Sequence, residues 1–113
     1  MHYDSRKYRK AISAYKKATE LNEKNFHAWY HMGIAYDDTK KDEDADRCYR
    51  KALEAKADPP ADLFLRLAEI NEEEALNRMK DALQFYKLYR DLGGTEDWVP
   101  DRIKEIEDML ADK

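Results

Sequence analysis

Apolar residues recur at steps of three and four along most of the chain, and polar residues fill the positions between them. This spacing is typical of helices that bury one face, because an α-helix completes a turn every 3.6 residues. No stretch alternates with a period of two, so the sequence predicts no β-strand. The pattern predicts about six helices, over residues 5–21, 25–38, 42–56, 60–74, 77–92 and 97–111.

Residues that cap or break helices lie between the predicted segments. Asn25 and Asp42 are suited to accept hydrogen bonds from the first-turn amides of the second and third helices. Pro59 and Pro60 separate the third helix from the fourth. Gly93 can adopt the left-handed backbone that ends a helix. Connections this short favour antiparallel packing of neighbouring helices.

Composition indicates a small folded domain and excludes several classes of protein. Only three glycines and three prolines occur in 113 residues, and 12% of the residues are aromatic, so a flexible linker or a disordered chain is not expected. A single cysteine excludes a disulfide scaffold. No apolar run approaches the ~20 residues of a membrane span, and no signal peptide opens the sequence. We therefore expect a soluble, cytoplasmic protein with no membrane partner.

Charge is distributed unevenly along the chain, whose net charge is −4. Residues 1–30 carry seven basic and three acidic side chains, whereas residues 91–113 carry three basic and eight acidic ones. The acidic balance argues against nucleic acid as a partner. Solvated helix faces account for this pattern, and the alternative is that the opposite signs of the two ends favour head-to-tail association of copies.

A pattern of aromatic and small residues repeats with a period of ~34 residues. The best copy consists of Trp29, Met32, Gly33, Tyr36, Ala45, Tyr49 and Ala52. Its second half recurs upstream at Ala11, Tyr15 and Ala18, and a weaker copy follows at Phe64, Leu67, Ala68, Ala82, Tyr86 and Tyr89. Gly33 and the alanines allow two helices to approach closely, while Trp29 and the tyrosines are expected to fill the space beside them.

These residues resemble the tetratricopeptide repeat, which places Trp, Leu-Gly and Tyr on one helix and Ala, an aromatic residue and Ala on the next. The resemblance implies an all-α superhelix, a right-handed solenoid of antiparallel helix pairs. It divides the single domain 1–113 into a half repeat (4–25), a full repeat (26–59), a degenerate repeat (60–94) and a capping helix (97–111). The first helix then lacks its hairpin partner. One expectation is therefore a homo-oligomer formed through this helix.

The resemblance also implies a concave groove that binds a partner protein or peptide. Its predicted residues are His27, Tyr30, His31, Ile34, Asp37, Asp38, Asp62, Arg66 and Glu69. Their excess of carboxylates favours a basic peptide. One subclass of the family binds the carboxylate tail of heat-shock chaperones through a set of Lys, Asn and Arg residues. His31 stands where that set has Asn, and either Asp62 or Ala61 stands where it has Lys, so that only Arg66 could match. This activity is therefore not expected.

The predicted function is a protein-interaction module with a scaffold or adaptor role. The alternative is a self-assembling or engineered repeat scaffold that has no natural ligand. Light scattering at two salt concentrations separates a self-assembling chain from a monomer.

No set of residues predicts catalysis, a cofactor or a metal. His27 and His31 are spaced to share a metal ion, but two ligands make a weak site. Cys48 lies on an apolar stripe and is predicted to be a buried core residue rather than a nucleophile. The glutamates at 72–74 point around a helix and are interpreted as solvated surface. The chain is therefore predicted not to be an enzyme.

Overall fold

The computed structural model describes residues 5–56, 58–72 and 78–112, and every regular element within these ranges is an α-helix. The helices are α1 (Ser5–Leu21), α2 (Phe26–Asp38), α3 (Asp42–Ala55), α4 (Ala61–Glu72), α5 (Met79–Asp91) and α6 (Val99–Ala111). They confirm the six predicted helices, and no described end differs from its prediction by more than about two residues. The predicted helical positions 73, 74 and 77 lie outside the described residues. The helices form two compact units, Met1–Pro59 and Pro60–Lys113.

In the first unit α1 packs against α2, and α2 packs against α3. The backbone of α2 lies closest to α3 at Gly33, where an added Cβ atom would lie 2.5 Å from Cδ1 and Cε1 of the Tyr49 ring. Tyr49 and Ala52 are fully buried on the α3 side. The predicted role of Gly33 is therefore confirmed. Of the three rings predicted to fill the space beside Gly33, Tyr36 and Tyr49 are buried as expected, whereas Trp29 is only half-buried.

Helix starts in the first unit follow the predicted caps in one case out of two. Asn25 is the N-cap of α2, and its Oδ1 accepts a hydrogen bond of 3.1 Å from the Ala28 amide. The prediction for Asp42 is wrong, because Lys41 occupies the cap position of α3 and makes no side-chain cap bond. Asp42 instead begins an acidic first turn, where its carboxylate interacts favourably with the positive end of the helix dipole.

The turn between α2 and α3 holds Lys40 in the left-handed region, at a φ of 62°. We expect Lys40→Gly to raise the free energy of unfolding by up to about 1 kcal/mol, because glycine adopts this backbone without a Cβ clash. Urea denaturation of the two proteins measures the difference. Lys41→Gly is the matched control, since Lys41 has a φ of −97° and gains no such relief. Equal effects at the two positions would contradict the explanation.

In the second unit α4 packs against α5, and α5 packs against α6. Gly93 ends α5 with a φ of 85°, as predicted. The Tyr89 ring supports the following connection, because its hydroxyl accepts a hydrogen bond of 3.0 Å from the Glu96 amide. On α6, Ile103 and Ile106 are buried. Glu105 and Asp108 on the opposite side of α6 are exposed.

A polar network joins all three helices of the second unit at Glu72. The Tyr86 hydroxyl donates to the Glu72 carboxylate, and Arg102 Nε donates to it over 2.6 Å. Arg102 also pairs with Glu105 over 2.8 Å. The interpretation of Glu72 as solvated surface is therefore wrong, since its side chain is only 15% exposed. The glutamates at 73 and 74 lie outside the described residues.

Cys48 is fully buried, which confirms its predicted place in the core. Burial raises the pKa of its thiol to about 11, against a weaker opposing effect of Arg47. The thiol ionises near pH 8.5 in the unfolded chain, so its contribution to stability is complete below that pH and is lost as the pH rises towards 11.

We expect the free energy of unfolding to fall between about pH 9 and pH 11, with Cys48 contributing up to about 1.4 kcal/mol per pH unit. Urea denaturation at several pH values measures this slope. Cys48→Ala should have a shallower slope over the same range, whatever its stability at pH 7. An unchanged slope in the variant would show that the Cys48 thiol is not responsible.

Candidate functional site

Aromatic rings cluster on one side of α2 in the first unit. This cluster, the aromatic face, consists of Phe26, His27, Tyr30 and His31 on α2 together with Tyr15 on α1. The Tyr30 ring centroid lies 5.5 Å from that of Phe26 and 5.8 Å from that of His31. Tyr15 stacks on His31 at 6.0 Å. His27 is exposed and the other four are half-buried, so the face combines packing with an accessible surface.

Packing between helices fixes the position of the central ring of the aromatic face. Tyr30 meets the buried Tyr49 of α3 edge-on, with ring centroids 6.0 Å apart. Lys56 lies beyond the end of α3 and places its Nζ 5.0 Å from the centroid of the Phe26 ring. Rings held in this way lose little side-chain entropy when a ligand contacts them, which suits them to anchor a partner.

Two carboxylates continue the same helix towards its C-terminus. Asp37 Oδ2 accepts a hydrogen bond of 3.2 Å from the Tyr49 hydroxyl, and Asp38 Oδ2 accepts one of 3.3 Å from the Tyr8 hydroxyl. Each of these hydrogen bonds restricts the orientation of its carboxylate. A carboxylate can accept several hydrogen bonds, including bonds from a cationic donor.

The predicted groove residues fall on two helices that belong to different units. His27, Tyr30, His31, Ile34, Asp37 and Asp38 lie on α2. The remaining three, Asp62, Arg66 and Glu69, lie on α4, where their spacing of four and three residues places them on one helix face. Asp62 and Glu69 are exposed, and Arg66 is half-buried.

The two histidines of α2 are close neighbours, with ring centroids 4.1 Å apart. Across residues 5–56, 58–72 and 78–112, no group of three or more His, Cys, Asp or Glu side chains is arranged to hold a metal ion. Within the same ranges, none of the helices has the length and apolar character needed to cross a membrane.

Sequence reasoning missed several side chains that build this site. Phe26 and Tyr15 were outside the predicted groove, although Phe26 precedes Tyr30 by one helical turn and could have been found from that spacing. The tyrosine donors to Asp37 and Asp38 are separated from their acceptors by 12 and 30 residues. No local sequence signal identifies such pairs, because they depend on how the helices pack.

The helices and their small-residue contacts define a helical-repeat protein built from α-helical hairpins. One family model, described as TPR repeat, matches residues 1–39, and a second, described as tetratricopeptide repeat, matches residues 26–59. Together they span residues 1–59 of the 113. The chain belongs to the tetratricopeptide-repeat family, and the predicted all-α repeat fold is confirmed. A search of curated proteins finds none that matches this sequence.

Solved structures with this fold share little sequence with the chain. The first TPR of Spaghetti (RPAP3), bound to the HSP90 peptide SRMEEVD, is 20% identical at a TM-score of 0.76, and the match covers 95% of this chain and 82% of that one. YrrB, a TPR protein with an unusual peptide-binding site, is 24% identical at a TM-score of 0.79, with coverages of 96% and 56%.

A third structure, that of MamA, is 18% identical at a TM-score of 0.79, with coverages of 94% and 56%. The chain thus spans little more than half the length of the YrrB and MamA chains. At these identities the likeness establishes the fold. The family and the fold place the chain among protein-interaction modules, a class that generally lacks enzymatic activity.

Proposed function

We propose that the first unit binds a basic peptide segment of a partner protein on the aromatic face and the adjoining carboxylates of α2, in a scaffold or adaptor role. The observation that carries the proposal is the combination of partly accessible rings and two oriented carboxylates on one helix. Aromatic anchors supply most of the affinity at such surfaces, and charges select the partner. Ile34, which is half-buried on α2, adds an aliphatic contact.

The charge of this surface favours a basic ligand over an acidic one. Asp37 and Asp38 are carboxylates, and each accepts a hydrogen bond from a neutral tyrosine hydroxyl. The HSP90 peptide bound by the Spaghetti TPR contains the acidic segment EEVD. The same peptide would bring carboxylates towards Asp37 and Asp38, so we propose a partner of the opposite charge. Asp62, Arg66 and Glu69 are proposed as a separate peptide contact on α4.

Selection of short random peptides on the immobilised full chain tests this function. We expect the selected peptides to be rich in Lys or Arg and to include an apolar or aromatic anchor. Tyr30→Ala should weaken their binding by about tenfold or more, as for truncation of an interface anchor. Asp38→Asn should weaken it and reduce its dependence on salt.

Two matched variants control for effects unrelated to the proposed surface. Leu21→Ala removes an apolar side chain that is 89% exposed and lies outside the aromatic face. Asp44→Asn removes an exposed carboxylate of α3 that pairs with Arg47. Both should bind the selected peptides like the unchanged protein. If Tyr30→Ala and Asp38→Asn also bind like it, the surface has been assigned wrongly.

Self-association is a second candidate function, favoured by the opposite charges of the first and last helices. α1 carries six basic residues and one acidic residue, whereas α6 carries four acidic and two basic ones. The apolar stripe of α1 remains half-buried, at Tyr8, Ala11, Ile12, Tyr15 and Ala18. We therefore propose that α1 of one copy meets α6 of another.

Light scattering at low and high salt tests this association, because salt screens attraction between exposed charges. We expect particles larger than one chain at low salt that dissociate at high salt. Lys17→Glu should dissociate them at low salt, and adding Asp108→Lys should restore them. A single-chain mass under both conditions removes the candidate.

We also propose that the chain is divided into a half repeat (4–25), a full repeat (26–59), a degenerate repeat (60–94) and a capping helix (97–111). The family match over residues 26–59 and the pairing of α2 with α3 support the second segment. The packing of α4 on α5 and of α6 on α5 supports the last two.

A further inference from the structure

A depression of about 450 Å³ opens in the first unit, where the C-terminal ends of α1 and α3 lie beside Trp29. The side chains that matter for its chemistry are Glu20, Glu23, Lys24, Trp29, Lys51 and Glu54. The Trp29 indole N–H donates a hydrogen bond of 2.9 Å to the Glu23 carbonyl oxygen, which restricts the orientation of the ring. The volume lies within the range of about 300–1,000 Å³ typical of small-molecule sites.

Electrostatics in the depression favour a positively charged occupant. The C-terminus of a helix carries a partial negative charge, and neither α1 nor α3 has a basic residue in its last turn to offset it. Glu20 and Glu23 add two carboxylates that pair with no cation among the described side chains. Lys51 is offset by Glu54, which lies 3.6 Å from its Nζ. Of the two lysines that line the depression, only Lys24 is left to oppose this negative electrostatic potential within residues 5–56.

We infer that this depression binds the guanidinium group of an arginine from a partner polypeptide. A planar guanidinium can stack on the Trp29 indole while its N–H groups donate to a carboxylate at the ring edge. Glu20 and Glu23 supply that carboxylate. None of the proposed groove residues lines the depression. Trp29 and Tyr30 are consecutive on α2, so their side chains point about 100° apart around the helix axis. The depression and the aromatic face can therefore be tested separately.

NMR titration of the full chain with N-acetyl-arginine methylamide tests the site, with the matching citrulline derivative as an uncharged ligand of the same shape. The indole N–H resonance of Trp29, assigned through Trp29→Phe, should shift saturably with a Kd of roughly millimolar order for arginine. Citrulline should produce no such shift. The indole of Trp98 donates to Glu96 Oε2 over 3.2 Å outside the depression, and its resonance is the internal control. Equal shifts with arginine and citrulline, or equal shifts of both indoles, overturn the inference.

Substitutions of the lining charges test how the cation is held. Glu20→Gln combined with Glu23→Gln should weaken arginine binding about tenfold, which corresponds to about 1.4 kcal/mol. Lys24→Gln should strengthen it. Glu43→Gln, an exposed carboxylate of α3 that does not line the depression, should leave it unchanged. Unchanged arginine affinity in the Glu20/Glu23 double variant refutes the site. Tyr30→Ala should leave arginine binding unchanged whether or not the peptide surface on α2 is assigned correctly, so the two proposals can fail independently.

Discussion

A Gly33→Ala protein is expected to lose about 2 kcal/mol of its free energy of unfolding. In an open helix the same substitution would add stability, because alanine has the higher helix propensity by about 1 kcal/mol. At Gly33 the new methyl group would lie 2.5 Å from two carbons of the Tyr49 ring, which is fully buried and bound through its hydroxyl to Asp37. Either α2 and α3 move apart or the ring shifts, and overpacking of this kind costs about 1–3 kcal/mol or more.

A double-mutant cycle with Tyr49→Leu identifies the contact responsible. Tyr49→Leu removes the ring and costs stability by itself, but adding Gly33→Ala should then be neutral or stabilising. Urea denaturation of the four proteins gives the coupling free energy between the two positions. Gly93→Ala is the control substitution. A Cβ at Gly93 meets no atom within 4 Å, so the cost of that substitution comes from the backbone φ of 85° and not from a contact. The stability lost in Gly93→Ala should therefore be the same with and without the Tyr49 ring. If the stability lost in Gly33→Ala is also the same in both backgrounds, the Tyr49 contact is not responsible.

The sequence was sufficient to predict the helices and their closest contact because both depend on local spacing. Helical periodicity identified every helix from α1 to α6, and Gly33 lies at the offset from Tyr36 that the repeat pattern requires. The extent to which each aromatic residue around Gly33 is buried does not follow from this spacing. Trp29, Tyr36 and Tyr49 were all expected beside Gly33, and only the packing of α2 on α3 shows that the two tyrosines are buried while Trp29 is half-buried.

Polar contacts between helices could not be predicted from spacing in the same way. Glu72 stands in a run of three glutamates, which in an isolated helix point in different directions and remain solvated. In the second unit its partners are Tyr86, which is 14 residues away, and Arg102, which is 30 residues away. Such pairs exist only where α4, α5 and α6 are packed together, so they depend on tertiary structure rather than on local pattern.

The candidate site shows the same division between local and long-range information. The residues of α2 that share a face were predicted from helical spacing, and His27, Tyr30 and His31 do lie together there. The ring of Tyr15 and the hydroxyl donors from α1 and α3 complete that surface through contacts between helices. The peptide-binding role of the surface stays a proposal that the selection experiment decides.

A Glu72→Ala protein is expected to lose about 2–3 kcal/mol of its free energy of unfolding. The substitution leaves the Tyr86 hydroxyl, on a residue that is 1% exposed, without its carboxylate acceptor. It also leaves Arg102 with Glu105 alone, and that carboxylate is 62% exposed. An unsatisfied buried donor costs about 1–3 kcal/mol, and the lost ion pair adds less because Arg102 is itself 30% exposed. Amide hydrogen exchange should show the loss of protection in α6 as well as in α4 and α5.

Glu105→Ala is the matched control, because it removes only the exposed partner of Arg102 and should cost no more than about 0.5 kcal/mol. A spectroscopic readout separates the bond at Tyr86 from general loosening of the fold. Burial raises the pKa of Tyr86, and its hydrogen bond to the Glu72 carboxylate raises it further. In Glu72→Gln, which keeps the size of the side chain, one tyrosine should therefore ionise at lower pH in an ultraviolet absorbance titration. Equal stability losses for Glu72→Ala and Glu105→Ala, with no change in that titration, would show that Glu72 does not join the three helices.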